Sequence, residues 1–198
     1  SLEPDHITDE IISGLADIPE FCPQFHISLQ SGCDSTLKRM NRHYTSDEYY
    51  EVCEKLRNSF DGTTLTTDIM VGFPGETADD FEASLAFAQR VGFEKAHVFP
   101  YSIRPGTPAA KMPDQIEKSE KERRASMMST ACEKIRNDFL ESQIGKTLEV
   151  LVEEYHEGYA QGYTKNYTPV RIACGENLHG IVKAKITAVS GDFCIGEI

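Results

Sequence analysis

No stretch of the 198 residues approaches the roughly 18 consecutive apolar residues of a membrane span, which leaves no candidate transmembrane helix. The opening residues, SLEPDHITDE, are polar and acidic, the wrong chemistry for an export signal. Paired cysteines are also missing. Cys22, Cys33, Cys53, Cys132, Cys174 and Cys194 are dispersed with no CxxC or CxxxCxxC, so no metal site is expected from this chain alone, and reduced thiols in a cytoplasmic setting fit better than a disulfide framework. Basic residues are few. With 20 Lys and Arg against 32 Asp and Glu the net charge is −12, which excludes a general nucleic-acid clamp, because nonspecific affinity comes from neutralising phosphates. Any RNA contact has to be local. Neither GxGxxG nor GxxxxGK[ST] occurs, which argues against a phosphate-binding loop, and there is no low-complexity tract or close internal repeat.

What is present suits one sizeable domain and a small one: 39% hydrophobic residues with scattered charge. A helix is predicted near residues 8–17, capped by Thr8, followed by strand-then-helix units. QFHISLQSG precedes a helix over 46–59 with Thr45 and Glu48 as a capping box, and TLTTDIMVGFPG precedes a helix over 78–91 capped by Thr77. KAHVFPYS leads through a Pro/Gly loop to a long helix over 115–142, whose stripe of Met128, Ala131, Cys132, Ile135 and Phe139 reads as core, with Gly145 a suitable C-cap. Strands alternating with helices at this spacing imply parallel pairing through right-handed crossovers. After Gly145 the texture changes to β-branched runs cut by glycines, which suggests a small antiparallel barrel.

The strands of the first part are unusually polar. Parallel strands covered on both faces read as continuous apolar runs, yet here Ile27 and Leu29 alternate with His26, Ser28 and Gln30. Ile69, Val71 and Phe73 alternate with Thr66, Asp68 and Met70, and Ala96 and Val98 with His97, Phe99 and Tyr101. Helices take the aliphatic face, so the polar face lines the lumen of a curved sheet. An eight-stranded barrel fills its lumen with branched apolar side chains, so a polar lumen reads as an occupied cavity. Asp68 there faces a ligand, caps a loop or pairs with a lumen histidine, since an unpaired buried carboxylate is costly. His26 and His97 read as hydrogen-bonded core residues rather than catalysts. Ligands of parallel sheets bind beyond the carboxyl ends of strands, where Gly72 and Gly75 admit close backbone approach, Pro74 stiffens the turn, and Glu76 sits by a helix start.

The motifs HISLQSGCDSTLKRMNRHYT, TTDIMVGFPGETADDFE and HVFPYSIRPGTPAAKM, followed by the terminal barrel, resemble radical S-adenosylmethionine methylthiotransferases, nearest to the branch acting on threonylcarbamoyladenosine in tRNA. The resemblance implies an α/β fold: the C-terminal half of an open (β/α)6 barrel over residues 1–142, entered at the end of the third strand in SLEP, then an OB-like TRAM barrel over 143–198 that presents RNA to the active site. It implies S-adenosylmethionine and two 4Fe–4S clusters, with the cluster ligands and the rest of the barrel in an N-terminal part outside this chain. Alone, the chain is expected not to cleave S-adenosylmethionine. Position by position, the resemblance places Glu3, Gln30, Ser31 and Asp68, with Gly72, Phe73, Pro74, Gly75 and Glu76, beside the cofactor. It gives Tyr101, Ser102 and Arg104 to the target nucleotide, Arg104 meeting a phosphate or the threonyl carboxylate or remaining a solvated loop charge.

In the barrel, Tyr163, Lys165, Asn166, Tyr167 and Arg171 interleave aromatics with polar and cationic groups, which suits base stacking and phosphate contact. That segment has five Lys/Arg against seven Asp/Glu, so a merely structural barrel stays open. The substrate could instead be isopentenyladenosine in tRNA or a ribosomal-protein aspartate, and a stand-alone RNA-binding adaptor is a further reading. A Schiff-base lyase is disfavoured, because Lys95 opens its strand and Lys38 is expected in a loop. The missing barrel strands leave a parallel edge through which self-association is expected.

Overall fold

The computed structural model describes residues 1–156, 158–175 and 178–198. Helix α1 (Asp9–Ala16) leads to strand β1 (Gln24–His26), helices α2 (Asp34–Arg39) and α3 (Ser46–Ser59), strand β2 (Thr64–Val71), helix α4 (Ala78–Val91), strand β3 (Lys95–Pro100) and helix α5 (Lys118–Glu141). The three strands form one parallel sheet in the order β1-β2-β3. Local chemistry sets the helix starts. Thr8 accepts from the Ile11 amide, and Thr45 with Glu48 and Thr77 with Asp80 close reciprocal capping boxes.

Two expectations shift at the long helix. Gln115 lies outside it, its side-chain amide spent on the carbonyls of Ala109 and Met112. Ser142, not Gly145, is the C-cap; Gly145, at φ 87°, donates its amide to Ile186 and opens the barrel. Helix α2 was not foreseen, and it carries Lys38.

β2 has two unlike faces. Leu65, Ile69 and Val71 are buried with Phe25, Ile27 and Leu29 against Tyr49, Leu56, Phe81, Ala88, Val91 and Met128 of the covering helices. Thr66, Asp68 and Met70 on the other face are only half-buried. β1 is continuous only to His26, although its predicted pattern runs to Gln30; beyond it, single parallel bridges join Leu2 to Ile27 and Gln30 to Ile69. Carbonyls freed by that break would be costly if left unpaired inside the core. Tyr49 Oη and Thr67 Oγ1 donate to the Ile27 carbonyl, and Tyr44 Oη donates to those of Ser28 and Leu29. The parallel bridge of Leu2 agrees with SLEP ending a preceding strand.

α5 lies over β3 and β2. Met128 and Cys132 are buried as the stripe predicts, but so is Arg124. Its Nη1 donates to a Glu76 carboxylate oxygen at 2.7 Å and to the Glu76 carbonyl at 2.8 Å, while its Nε reaches Glu120 at 2.8 Å. Glu76 also accepts from the Gly72 amide at 2.7 Å. Burial pushes the Glu76 carboxyl above the usual range, against the pull of Arg124 and that amide.

Strands β4 (Thr147–His156), β5 (Tyr159–Thr164), β6 (Pro169–Ala173), β7 (Gly180–Ser190) and β8 (Phe193–Glu197) close into a barrel in the order β4-β5-β6-β8-β7. Its core is Val150, Val170, Ile172, Ala184, Ile186 and Cys194, with Leu140 from the last turn of α5 inserted among them. The helix is thus part of both units. Gly162 is required where β4 bulges after Val152, since any Cβ there would overlap the Leu151 carbonyl.

The barrel docks at the amino ends of the parallel strands. Asn166 donates to the Gly62 carbonyl and accepts at its own carbonyl from Thr64 Oγ1 at 2.7 Å, and Lys165 Nζ donates to the Pro19 carbonyl. Arg136 of α5 bonds Asp192 at 2.9 Å and lies 3.9 Å from Glu94, which is buried.

Two outcomes are expected. Arg124→Ala strands the Glu76 carboxylate in the core and should cost about 3–5 kcal/mol in urea unfolding, whereas the paired change Glu76→Gln with Arg124→Met should recover most of it. Burial raises the Glu94 carboxyl from 4.5 to about 7. Between those values the native state holds a proton that the unfolded chain has lost, so the Glu94 contribution to stability falls as pH rises, by up to about 1.4 kcal/mol per pH unit. Glu94→Gln should reduce that slope in unfolding curves taken across the same window.

Candidate functional site

The inward face of the sheet carries a connected polar row. Register pairs His26 with Thr66, Thr66 with Lys95, Asp68 with His97, and Met70 with Phe99. Gln24 Nε2 donates to Thr66 Oγ1 at 3.0 Å, and His26 stands 2.9 Å from that hydroxyl through Nδ1 and 3.3 Å from Asp68 Oδ2 through Nε2. The His26 and His97 rings are 6.2 Å apart. Asp68 therefore does pair with a lumen histidine, yet its side chain stays 30% exposed, so one side still faces the open concavity. Gln30 adopts φ 65°, bonds the Asp68 carbonyl through its amide and the Met70 amide through its carbonyl, and is half-buried at the same end of the row.

Near the carboxyl ends of β2 and β3 lies a cavity of about 340 Å³ lined by Met70, Phe99, Pro100, Tyr101, Ser102, Arg104, Thr107 and Ala109. Its walls are mainly apolar. Ser102 and Arg104 are exposed on its rim, and among the described residues Arg104 makes no ion pair. Tyr101 departs from the expected alternation. After Pro100 its amide bonds the Val71 carbonyl, and its ring turns edge-on to Phe73 at 5.3 Å, with Lys121 Nζ 5.6 Å from the ring centre. The ring is buried, and its hydroxyl has no hydrogen-bond partner. A buried phenol without a partner is costly, so the Tyr101 hydroxyl is a point of stored cost inside this wall.

Several expected cofactor contacts have other duties. The Glu76 carboxylate is consumed by Arg124 and the Gly72 amide, with 1% of the side chain exposed, so it cannot meet a ligand. Gly72 (φ 72°) is required because a Cβ would overlap Lys121 Cγ, and Gly75 is favoured by its φ of 75°, a Cβ there meeting Arg39 at ordinary contact distance. Gly72 therefore admits a side chain of this protein on that side. Phe73 and Pro74 are buried in the same turn. Ser31 is fully buried and accepts from the Cys33 amide, while Glu3 is bound by Arg42 at 2.7 and 2.8 Å. The signal missed in the sequence was Arg124, a cation inside an otherwise apolar helical stripe.

In the barrel, Lys165 and Asn166 are clasps to the α/β part rather than free RNA contacts. Arg171 stacks 3.7 Å over the Phe193 ring and bonds Gln161. Tyr163 and Tyr167 stand 6.1 Å apart, the latter 56% exposed.

For an iron–sulfur cluster the fit is poor. Among the described residues no three His, Cys, Asp or Glu side chains converge to hold a metal. Burial pushes the thiols of Cys53 to about 12 and of Cys132 and Cys194 to about 11, away from the thiolate form that ligates metal. Among the described residues no helix is long and apolar enough to cross a membrane.

Comparison with known proteins gives this geometry its setting. Residues 1–88 match the Radical SAM superfamily model and residues 141–198 the TRAM domain model. The tRNA-2-methylthio-N(6)-dimethylallyladenosine synthase of Mycobacteroides abscessus is 43% identical over 152 residues, covering 77% of this chain and 30% of that protein. The synthase of the same name from Caldicellulosiruptor saccharolyticus is 35% identical over 198 residues, covering 98% of this chain and 42% of its own length. The chain thus spans less than half the length of these relatives. Coproporphyrinogen III oxidase (HemN) from Escherichia coli, described as a radical SAM enzyme, shares the fold at a TM-score of 0.53 and 14% identity, over 66% of this chain and 31% of that one. Residues 1–88 of the α/β part therefore carry a radical SAM match, and the closed barrel carries a TRAM domain match.

Proposed function

We propose that this chain serves a radical SAM methylthiotransferase that exchanges a C–H of an N6-modified adenosine in tRNA for a thiomethyl group. The carrying observation is the polar inward pair of His26 and Asp68, which leads toward a cavity lined by Met70, Phe99, Tyr101 and Arg104, beyond the carboxyl ends of parallel strands where ligands of such sheets bind. The names of the relatives support the reaction class.

Within this reading S-adenosylmethionine lies against Gln30, Asp68 and Met70, and when bound it supplies the hydrogen-abstracting group. The residues of this chain hold and orient. Gln30 presents an amide at the end of the row, Asp68 offers a carboxylate steadied by His26, and Met70 with Phe99 shields the concavity from water. The iron–sulfur ligands and the remaining barrel strands belong to an N-terminal part of the same protein, which would pair along the open β1 edge beyond Leu2. No step is assigned to a cluster from these residues.

For the group on N6, the relatives' names favour dimethylallyl, and the apolar walls of Met70, Phe99, Pro100 and Ala109 suit such a tail. One observation favours threonylcarbamoyl, the reading that the sequence motifs suggest: Arg104 stands on the rim and makes no ion pair among the described residues. Nucleoside mass spectrometry of tRNA from a strain lacking the gene tests both. Loss of a thiomethyl mark from either nucleoside supports the proposal, and unchanged thiomethyl nucleosides contradict it. Arg104→Ala should weaken a threonylcarbamoyl substrate at least tenfold, since a hydrogen bond to a charged group is worth about 1.5–3 kcal/mol, and should leave a dimethylallyl substrate nearly unaffected in KM.

A further inference from the structure

A second cavity, about 420 Å³, opens where the TRAM barrel meets the amino ends of the strands. One wall is the start of the polar row, Gln24, Thr66, Lys95 and His97; the other is Tyr163, Tyr167, Pro169 and Phe193. The volume falls within the ~300–1,000 Å³ of sites for small organic ligands.

Tyr167 is the singular feature. A bulky residue at φ 63° is a backbone outlier, and such strain persists only where its surroundings impose it. Here the Tyr167 amide bonds the Thr164 carbonyl at 2.9 Å, and Asn166 Oδ1 accepts from Thr164 and Thr168 hydroxyls. The same turn is fastened to Gly62 and Thr64. The barrel thus spends a strained turn on holding an exposed ring at a set position beside the sheet. The ring gains little packing in return, being 56% exposed and tilted 42° to Tyr163.

Charge gives the cleft a direction. Its two acids, Glu94 and Asp192, both face Arg136, and among the described residues Lys95 has no ion-pair partner. On the far side of the tyrosine pair stand Glu20, Glu149 and Glu153 against one lining cation, Lys165, whose Nζ is held by the Pro19 carbonyl, so that side repels phosphate. A polyanion crossing Tyr167 is therefore steered to the Lys95 side.

We propose that this cleft is a subsite for one unpaired RNA nucleotide other than the reacting one, its base stacked on Tyr167 and its phosphate beside Lys95. Four residues of β2 separate Thr66 at this end from Met70 at the other, roughly 13 Å, a separation that a single-stranded segment can cover. The proposal rests on the RNA reading above and adds a second contact point to it.

The test uses the gene's full product with a synthetic tRNA anticodon stem–loop bearing 5-iodouridine at loop positions. Photocrosslinking followed by peptide mass spectrometry is expected to mark Tyr167. Fluorescence anisotropy is expected to show about tenfold weaker binding for Tyr167→Ala, near-normal binding for Tyr167→Phe, and a salt dependence shallower by about one unit of slope for Lys95→Gln. Tyr167→Gly relieves the backbone strain, so it should bind as weakly as Tyr167→Ala with no loss of thermal stability, a combination that a merely structural tyrosine would not give. If the stem–loop binds wild type and Tyr167→Ala equally, with crosslinks elsewhere, the subsite is refuted and the RNA reading stands. If wild type does not bind the stem–loop, both are refuted.

Discussion

The inward face of this chain depends on β2 being the central strand of a parallel sheet with helices on one side only. Leu65, Ile69 and Val71 must enter the helical core, and the period of two then fixes Thr66, Asp68 and Met70 on the opposite face. A one-residue slip would bury Asp68 and expose Ile69, so register is held strongly. The polar row, its cross-strand hydrogen bonds and its open side all follow from that arrangement.

Helix α5 turns the half-sheet into a scaffold. Its first half closes over the Gly72–Glu76 turn through Arg124 and Lys121, and its last turn delivers Leu140 into the barrel. Between them Arg136 spans Glu94 and Asp192. One rigid rod thus indexes the TRAM domain against the strands, and the clasp at Asn166 supplies a second fixed point. This arrangement sets the barrel at the amino ends of the strands, whereas the cavity by Tyr101 lies at the carboxyl ends.

Much of this was legible in the sequence because it is local. The caps at Thr8, Thr45 and Thr77, the alternation in β2 and the change of texture after Gly145 each depend on neighbours a few residues away. What was illegible depends on distant partners. Glu76 reads as a ligand at a helix start until Arg124, 48 residues later, takes its carboxylate. Asn166 reads as an RNA contact until Gly62 is found beside it. Tyr101 breaks the alternation because Pro100 ends the strand and Phe73 offers an edge to pack on. The break in β1 was hidden because tyrosines from a later helix and its leading loop satisfy the freed carbonyls.

The central claim is that the polar face of the sheet receives the cofactor, and two methionines report on it from opposite sides. Met70 lies on that face, half-buried, and Met128 is fully buried under the helices. In methyl NMR of the gene's full product, titration with S-adenosylhomocysteine should shift the Met70 resonance and leave Met128 unmoved. A saturable shift at Met128 with none at Met70, or no shift at either under conditions where calorimetry shows binding, would contradict the account.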